Sequence, residues 1–331
     1  MNPVLAEVHR GAVLECVHRG SVAVCRPGGE VVFSLGDIDT PMLPRSACKM
    51  VQALPLVESG AAEAHGLTDR HLALACASHN GAAVHTTLAG QWLWDIGLSD
   101  SALRCGPQDP ADEDASSLLK RECLPPTQLH NNCSGKHSGM LTLGTHIGGG
   151  PEYLEFDHPV QQAIRQATAE TARQDPAGYS TDGCSAPNHA ISLTGLATAM
   201  AGFADPEAAF SGKRAKAAAQ LRDAMMTHPV LVAGEGRACT ALMRAANGEA
   251  AVKTGAEGVF IGILPDAGLG IALKIDDGAT RGSHAAITAL LVHFGVLDRD
   301  DPVVNAYADS PLLNRRGIDC GRICASSALW T

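Results

Sequence analysis

Short apolar runs at residues 4–8, 13–18, 22–25 and 31–35 predict four strands, with Pro27-Gly28-Gly29 as a turn, and together read as an antiparallel meander. Near the other end, runs at 259–264 and 269–275 flank Pro265-Asp266-Ala267-Gly268, a hairpin signal. The two ends are expected to complete one sheet. Between them, helical periods run over 50–59, 70–77, 84–96, 158–173, 188–201 and 213–227, and a further helix at 285–294 is expected to pack on the sheet. The pattern therefore predicts an α+β fold: an antiparallel sheet built from both chain ends with flanking helices, plus a largely helical domain. Residues 1–45 and 247–331 form the first part and 46–246 the second. With no internal repeat or flexible linker, one cooperative unit is expected.

The 331 residues, 45% of them hydrophobic, suffice for a full core. A net charge of -10 without any Lys/Arg cluster argues against a nucleic-acid partner and favours a small-molecule substrate. No apolar stretch reaches the roughly 20 residues that span a bilayer. Residues 1–10 also lack a secretion signal's basic start and apolar core, so a cytoplasmic protein without membrane contact is expected. Eleven cysteines dispersed over such a chain are expected to be mostly small buried hydrophobes rather than disulfides. An aromatic content of 4% weighs against a carbohydrate groove.

Candidate chemistry lies in three motifs in order: Ser46-Ala47-Cys48-Lys49, Ser78-His79-Asn80 and Lys253-Thr254-Gly255. Serine β-lactamases and penicillin-binding proteins use such a trio for acyl transfer. A serine hydroxyl is a poor nucleophile until a base takes its proton, and a lysine serves only if its ammonium is destabilised. Ser46 is expected to open a helix with Lys49 one turn along the same face, and Lys253 to start an edge strand. A second dense stretch, His130-Asn131-Asn132-Cys133-Ser134-Gly135-Lys136-His137-Ser138-Gly139-Met140, offers a thiol, an amine and an imidazole, and Thr181-Asp182-Gly183-Cys184 adds a thiol and a carboxylate. Two thiolates can bind zinc, but Cys133 and Cys184 belong to no C-x-x-C, and spacing alone favours inert thiols over a metal pair.

Together, the blocks 44–49, 77–81, 130–137, 182–184 and 253–258 resemble those of the rhizobial-type L-asparaginases, the asparaginase II family, over nearly the whole chain. The resemblance implies a fold like that of serine β-lactamases and glutaminases, a homodimer, and hydrolysis of L-asparagine to L-aspartate and ammonia. It implies two Ser-Lys pairs, Ser46 with Lys49 and Ser78 with Lys253, and Zn²⁺ held by Cys133, Lys136 and Cys184, with water near Asp182. From residue chemistry alone His137 would be the third zinc ligand, because an ammonium has no lone pair until it loses its proton. Either serine can be the nucleophile; the S-x-x-K geometry favours Ser46. Arg45 is the candidate for the substrate's α-carboxylate, Glu257 for its ammonium, and Asn80, His137 and Asp182 for further contacts. Two rivals stand beside this reading: a β-lactamase or penicillin-binding-like acyl hydrolase, and a non-enzymatic zinc scaffold or sensor.

Overall fold

The computed structural model describes residues 1–330. Ten strands form: β1 Val4–Arg10, β2 Val13–Cys25, β3 Val31–Leu35, β4 Gly178–Thr181, β5 Pro187–Ala190, β6 Ala251–Thr254, β7 Val259–Leu264, β8 Leu269–Ile275, β9 Asp309–Leu313 and β10 Asp319–Ala325. Eight build one antiparallel sheet in the order β6-β7-β8-β2-β1-β10-β9, with β3 also on β2; β4 and β5 make a separate hairpin. Both ends of the chain thus meet in one sheet, the α+β arrangement expected.

The 13–18 and 22–25 runs are one continuous strand, β2, that changes partners midway. Its first half pairs with β1, and from Gly20 onward it pairs with β8, with β3 joining along the other edge from Val22. At the crossover a Cβ on Gly20 would stand 2.2 Å from the Lys274 carbonyl oxygen, so a side chain would hold the strands apart.

Every residue of β7 is buried, as are all but one of β8. Such strands read as continuous apolar runs because both faces are covered. Helices Leu193–Ala204 and Thr280–His293 pack on them. The first is nearly all apolar and small, and at Gly270 of β8 a Cβ would lie 2.0 Å from the Ala201 nitrogen and 2.2 Å from the Ala197 oxygen. This is backbone-to-backbone packing that only glycine permits.

Two expectations are corrected. The helix expected over 188–201 begins five residues later, because Pro187–Ala190 pairs with Gly178–Thr181 as β5; Ser192 then caps the helix, accepting a hydrogen bond from the Gly195 N–H at 3.0 Å. Strands β9 and β10 were not anticipated; β9 is an edge strand with Pro311 inside it, which masks its pattern. Among the described residues no helix is long and apolar enough to cross a membrane, and all eleven cysteines are free thiols.

Candidate active site

The Ser46 segment enters the site through a strained bend. Arg45 has φ +52°, then Arg45–Cys48 forms a short 3₁₀ turn, and the helix Lys49–Glu58 follows. Nearly all of that helix is buried, Lys49 included, so its amine must find acceptors inside the protein. It donates to the Ala77 carbonyl, to Ser78 Oγ at 3.0 Å and to Cys133 Sγ at 3.1 Å. Ser78 follows the helix Asp69–Ala75 and is fixed by its own N–H, which donates to the Val232 carbonyl at 2.9 Å.

Lys253 arrives from the opposite side. Contrary to expectation, it does not open the strand formed by the following apolar run; it sits near the end of β6, a short edge strand of its own, and is fully buried. Its amine lies 2.8 Å from Ser78 Oγ and 2.8 Å from the Thr254 carbonyl oxygen. One hydroxyl, Ser78, therefore stands between both lysine amines. Ser46 makes no side-chain hydrogen bond with either lysine, although it shares a cavity wall with Ser78. Burial, followed by the nearby Lys49 charge, lowers the Lys253 pKa to about 7. A large fraction of this amine is thus neutral at physiological pH and able to accept a proton.

Behind the serines, the helix Ser134–His146 brings Lys136 and His137 inward. Its close seat depends on Gly135, where a Cβ would meet the Leu74 carbonyl oxygen at 2.3 Å. Lys136 Nζ donates to Cys184 Sγ at 3.0 Å. Cys184 is carried on the β4–β5 hairpin tip, where Asp182 grips the Arg45 guanidinium at 2.8 and 2.9 Å. Asn188 on β5 accepts from the Arg45 N–H at 3.1 Å, tying the hairpin to the Ser46 segment.

The two thiols act on each other: Cys184, together with burial, raises the Cys133 pKa, while Cys133 lowers that of Cys184. The Lys136 ammonium assists the Cys184 thiolate. Burial alone would depress Lys136, but Cys184 and Cys133 outweigh it and hold the amine protonated. His137 is buried and neutral, its pKa lowered to about 4 chiefly by burial. Its Nδ1 lies 2.7 Å from the Tyr153 hydroxyl, and its Nε2 lacks a hydrogen-bond partner. Among the described residues no group of three His, Cys, Asp or Glu side chains is arranged to hold a metal ion. Each thiol instead meets a lysine amine, Cys184 that of Lys136 and Cys133 that of Lys49.

In front of the serines opens a cavity of about 460 Å³, lined in part by Ser46, Ser78, Asn132, Arg237, His284 and Tyr307. None of the five residues suggested for substrate contacts lines it. Arg45 and Asp182 are bonded to each other. Asn80 is buried, donating to Asp112 at 3.3 Å, and His137 lies against Tyr153. Glu257 is exposed on a left-handed bend with φ +57°. The sequence reading passed over Arg237, His284 and Tyr307. Only the Gly234-x-Gly236 pair ahead of Arg237 hinted at a shaped loop.

A buried serine held by two lysines beside an open cavity is equipment for acyl transfer. Residues 6–325 match the family model described as L-asparaginase II, and the chain belongs to that family. It is an amidohydrolase of the L-asparaginase kind. No curated protein sequence matches the chain. Among solved structures it is similar to a β-lactamase from Mycobacterium bovis at 14% identity, covering 80% of this chain and 89% of that one with a TM-score of 0.44. It is also similar to a protein titled Mglu at 16% identity, covering 91% and 73% with a TM-score of 0.47.

Proposed function

We propose that the chain hydrolyses the side-chain amide of L-asparagine through an ester on Ser46, with Lys49, Ser78 and Lys253 moving protons. The observation that carries this is the Ser78 hydroxyl held by both amines, while the Ser46 hydroxyl faces the same cavity with no protein hydrogen bond among the described residues. An oxygen engaged by two amines is suited to passing protons, whereas Ser46 keeps its lone pairs for a carbonyl carbon.

In this reading Ser46 Oγ bonds to the amide carbon as its proton passes through Ser78 Oγ to the neutral Lys253 amine. The C–N bond breaks when the relay returns that proton to the departing nitrogen, releasing ammonia. Water then adds to the β-aspartyl ester, giving its proton to the relay, which restores the Ser46 hydroxyl as aspartate leaves.

The residues also fit Zn²⁺ held by Cys133, Lys136 and Cys184. The two thiols shift each other's ionisation, the Lys136 amine lies 3.0 Å from Cys184 Sγ, and the buried His137 Nε2 has no hydrogen-bond partner. The amine must lose its proton on binding. When bound, the ion would supply Lewis-acid polarisation and an open coordination position for water or substrate.

The sheet part, residues 1–45 and 247–331, and the helical part, 46–246, are read as folding together, because Ser78 bonds lysines from both. A cytoplasmic homodimer completes the reading; the free thiols suit a reducing compartment, and light scattering on the purified protein tests the dimer.

The acylated residue is tested with an asparagine analogue carrying a diazoketone in place of the amide, followed by peptide mapping. An adduct on Ser46, absent in Ser46→Ala, is expected. An adduct on Ser78 would exchange the two serines' roles, a reading favoured by the direct Lys253 contact.

A further inference from the structure

We infer that Arg237 is the residue that recognises the substrate's α-carboxylate, and so restricts the enzyme to free amino acids. The inference rests on the asparaginase reading and gives it a specificity determinant. A zwitterionic substrate brings a carboxylate that must lose water on entering the cavity, and the strongest compensation is a guanidinium presenting paired N–H donors. Arg45, the arginine beside the nucleophile in sequence, is already engaged: Asp182 holds it at 2.8 and 2.9 Å. Arg237 has the opposite status. It lines the cavity and is half-buried, yet its guanidinium has no ion pair or hydrogen bond among the described residues.

Its surroundings fit an anion. No acidic side chain lines the cavity. Arg237 occupies the N-cap position of the helix Ala238–Ala245, so Ala238 and Cys239, which also line the cavity, are the first residues of a helix whose opening N–H groups lack intrahelical acceptors. The Arg237 charge reaches the neighbouring groups: it is among the influences lowering both Lys253 and His284. A carboxylate seated on Arg237 therefore lies within electrostatic range of the amine that serves the serines. His284, neutral and edge-on to Tyr307 with ring centroids 5.4 Å apart, offers a ring nitrogen without adding a competing cation.

The test compares L-asparagine with its α-methyl ester, in which the side-chain amide is intact and the carboxylate is capped. The parent enzyme should prefer free asparagine by roughly 10- to 100-fold in kcat/KM, the worth of a charge-assisted pair. In Arg237→Met the KM for asparagine should rise by a similar factor with kcat changed only a few-fold, and preference over the ester should collapse toward unity. Arg237→Lys should restore part of it. L-Aspartate binding measured by calorimetry should weaken in parallel, giving a readout independent of turnover; circular dichroism confirms that each variant is folded.

Preference kept in Arg237→Met, or lost in Arg45→Met instead, overturns the assignment. A parent enzyme that hydrolyses neither amide would overturn the asparaginase reading itself, a distinguishable result.

Discussion

Lys253 Nζ and Ser78 Oγ lie 2.8 Å apart in a buried pocket, with the Lys49 amine 3.0 Å from the same oxygen. Burial, and after it the nearby Lys49 charge, lowers the Lys253 pKa to about 7. The kcat/KM for asparagine should therefore rise along an acid limb centred near pH 7, as the amine becomes able to accept a proton. A pH profile measured from 5 to 9 checks this. A profile flat across that range would remove Lys253 from the role of base.

The same amine should cost stability. Unfolded, it titrates near 10.4, and folded, near 7. Between those pH values the unfolded chain binds a proton that the folded one does not, so stability climbs as pH rises through the window. Lys253→Met should be inactive yet raise Tm at pH 7, and its advantage should shrink toward pH 10. Thermal melts at the two pH values measure the difference.

Asp182 positions the zinc candidates without being one of them. By gripping Arg45 it pins the hairpin tip that carries Cys184 against the Ser46 segment. Asp182→Ala should weaken zinc binding by about 10- to 100-fold, the usual effect of losing a group that orients a ligand. Competition with a chromogenic chelator reads this directly, and unchanged affinity would mean that the hairpin holds its place unaided.

Gly270 should be among the least replaceable positions of the sheet. A Cβ there would meet backbone atoms of the helix Leu193–Ala204 at 2.0 and 2.2 Å, which no rotamer change can relieve. Gly270→Val should destabilise by about 3 kcal/mol or more, seen as a lower urea midpoint.

Much of this architecture is legible in the sequence where one pattern dominates. β7 and β8 follow their apolar runs to the residue, since both faces are buried, and the helix over 213–227 is extended by one residue. Edge elements are less visible. β9 carries Pro311, and β10 mixes buried and exposed positions without strict alternation, so neither presents a period to find.

The site divides in the same way. Its residue types are recognisable from three motifs, and Lys136 does reach Cys184, 48 residues away along the chain. What spacing could not supply is where a four-carbon side chain ends. Lys49 lies three residues from Ser46, yet its amine is drawn to Ser78, Cys133 and a carbonyl, all distant in sequence. Arg45 and Arg237 show the limit from the other side: which arginine is free depends on Asp182, 137 residues away along the chain from the first.

Lys253 owes its low proton affinity to complete enclosure by segments from both halves of the chain. Any fluctuation that admits water around β6 turns it back into an ordinary cation, even while most helices and strands persist. Chemical competence is therefore a more fragile property than secondary structure in this protein. On gentle heating, or in mild denaturant, ammonia release should cease before the circular dichroism of the fold has changed.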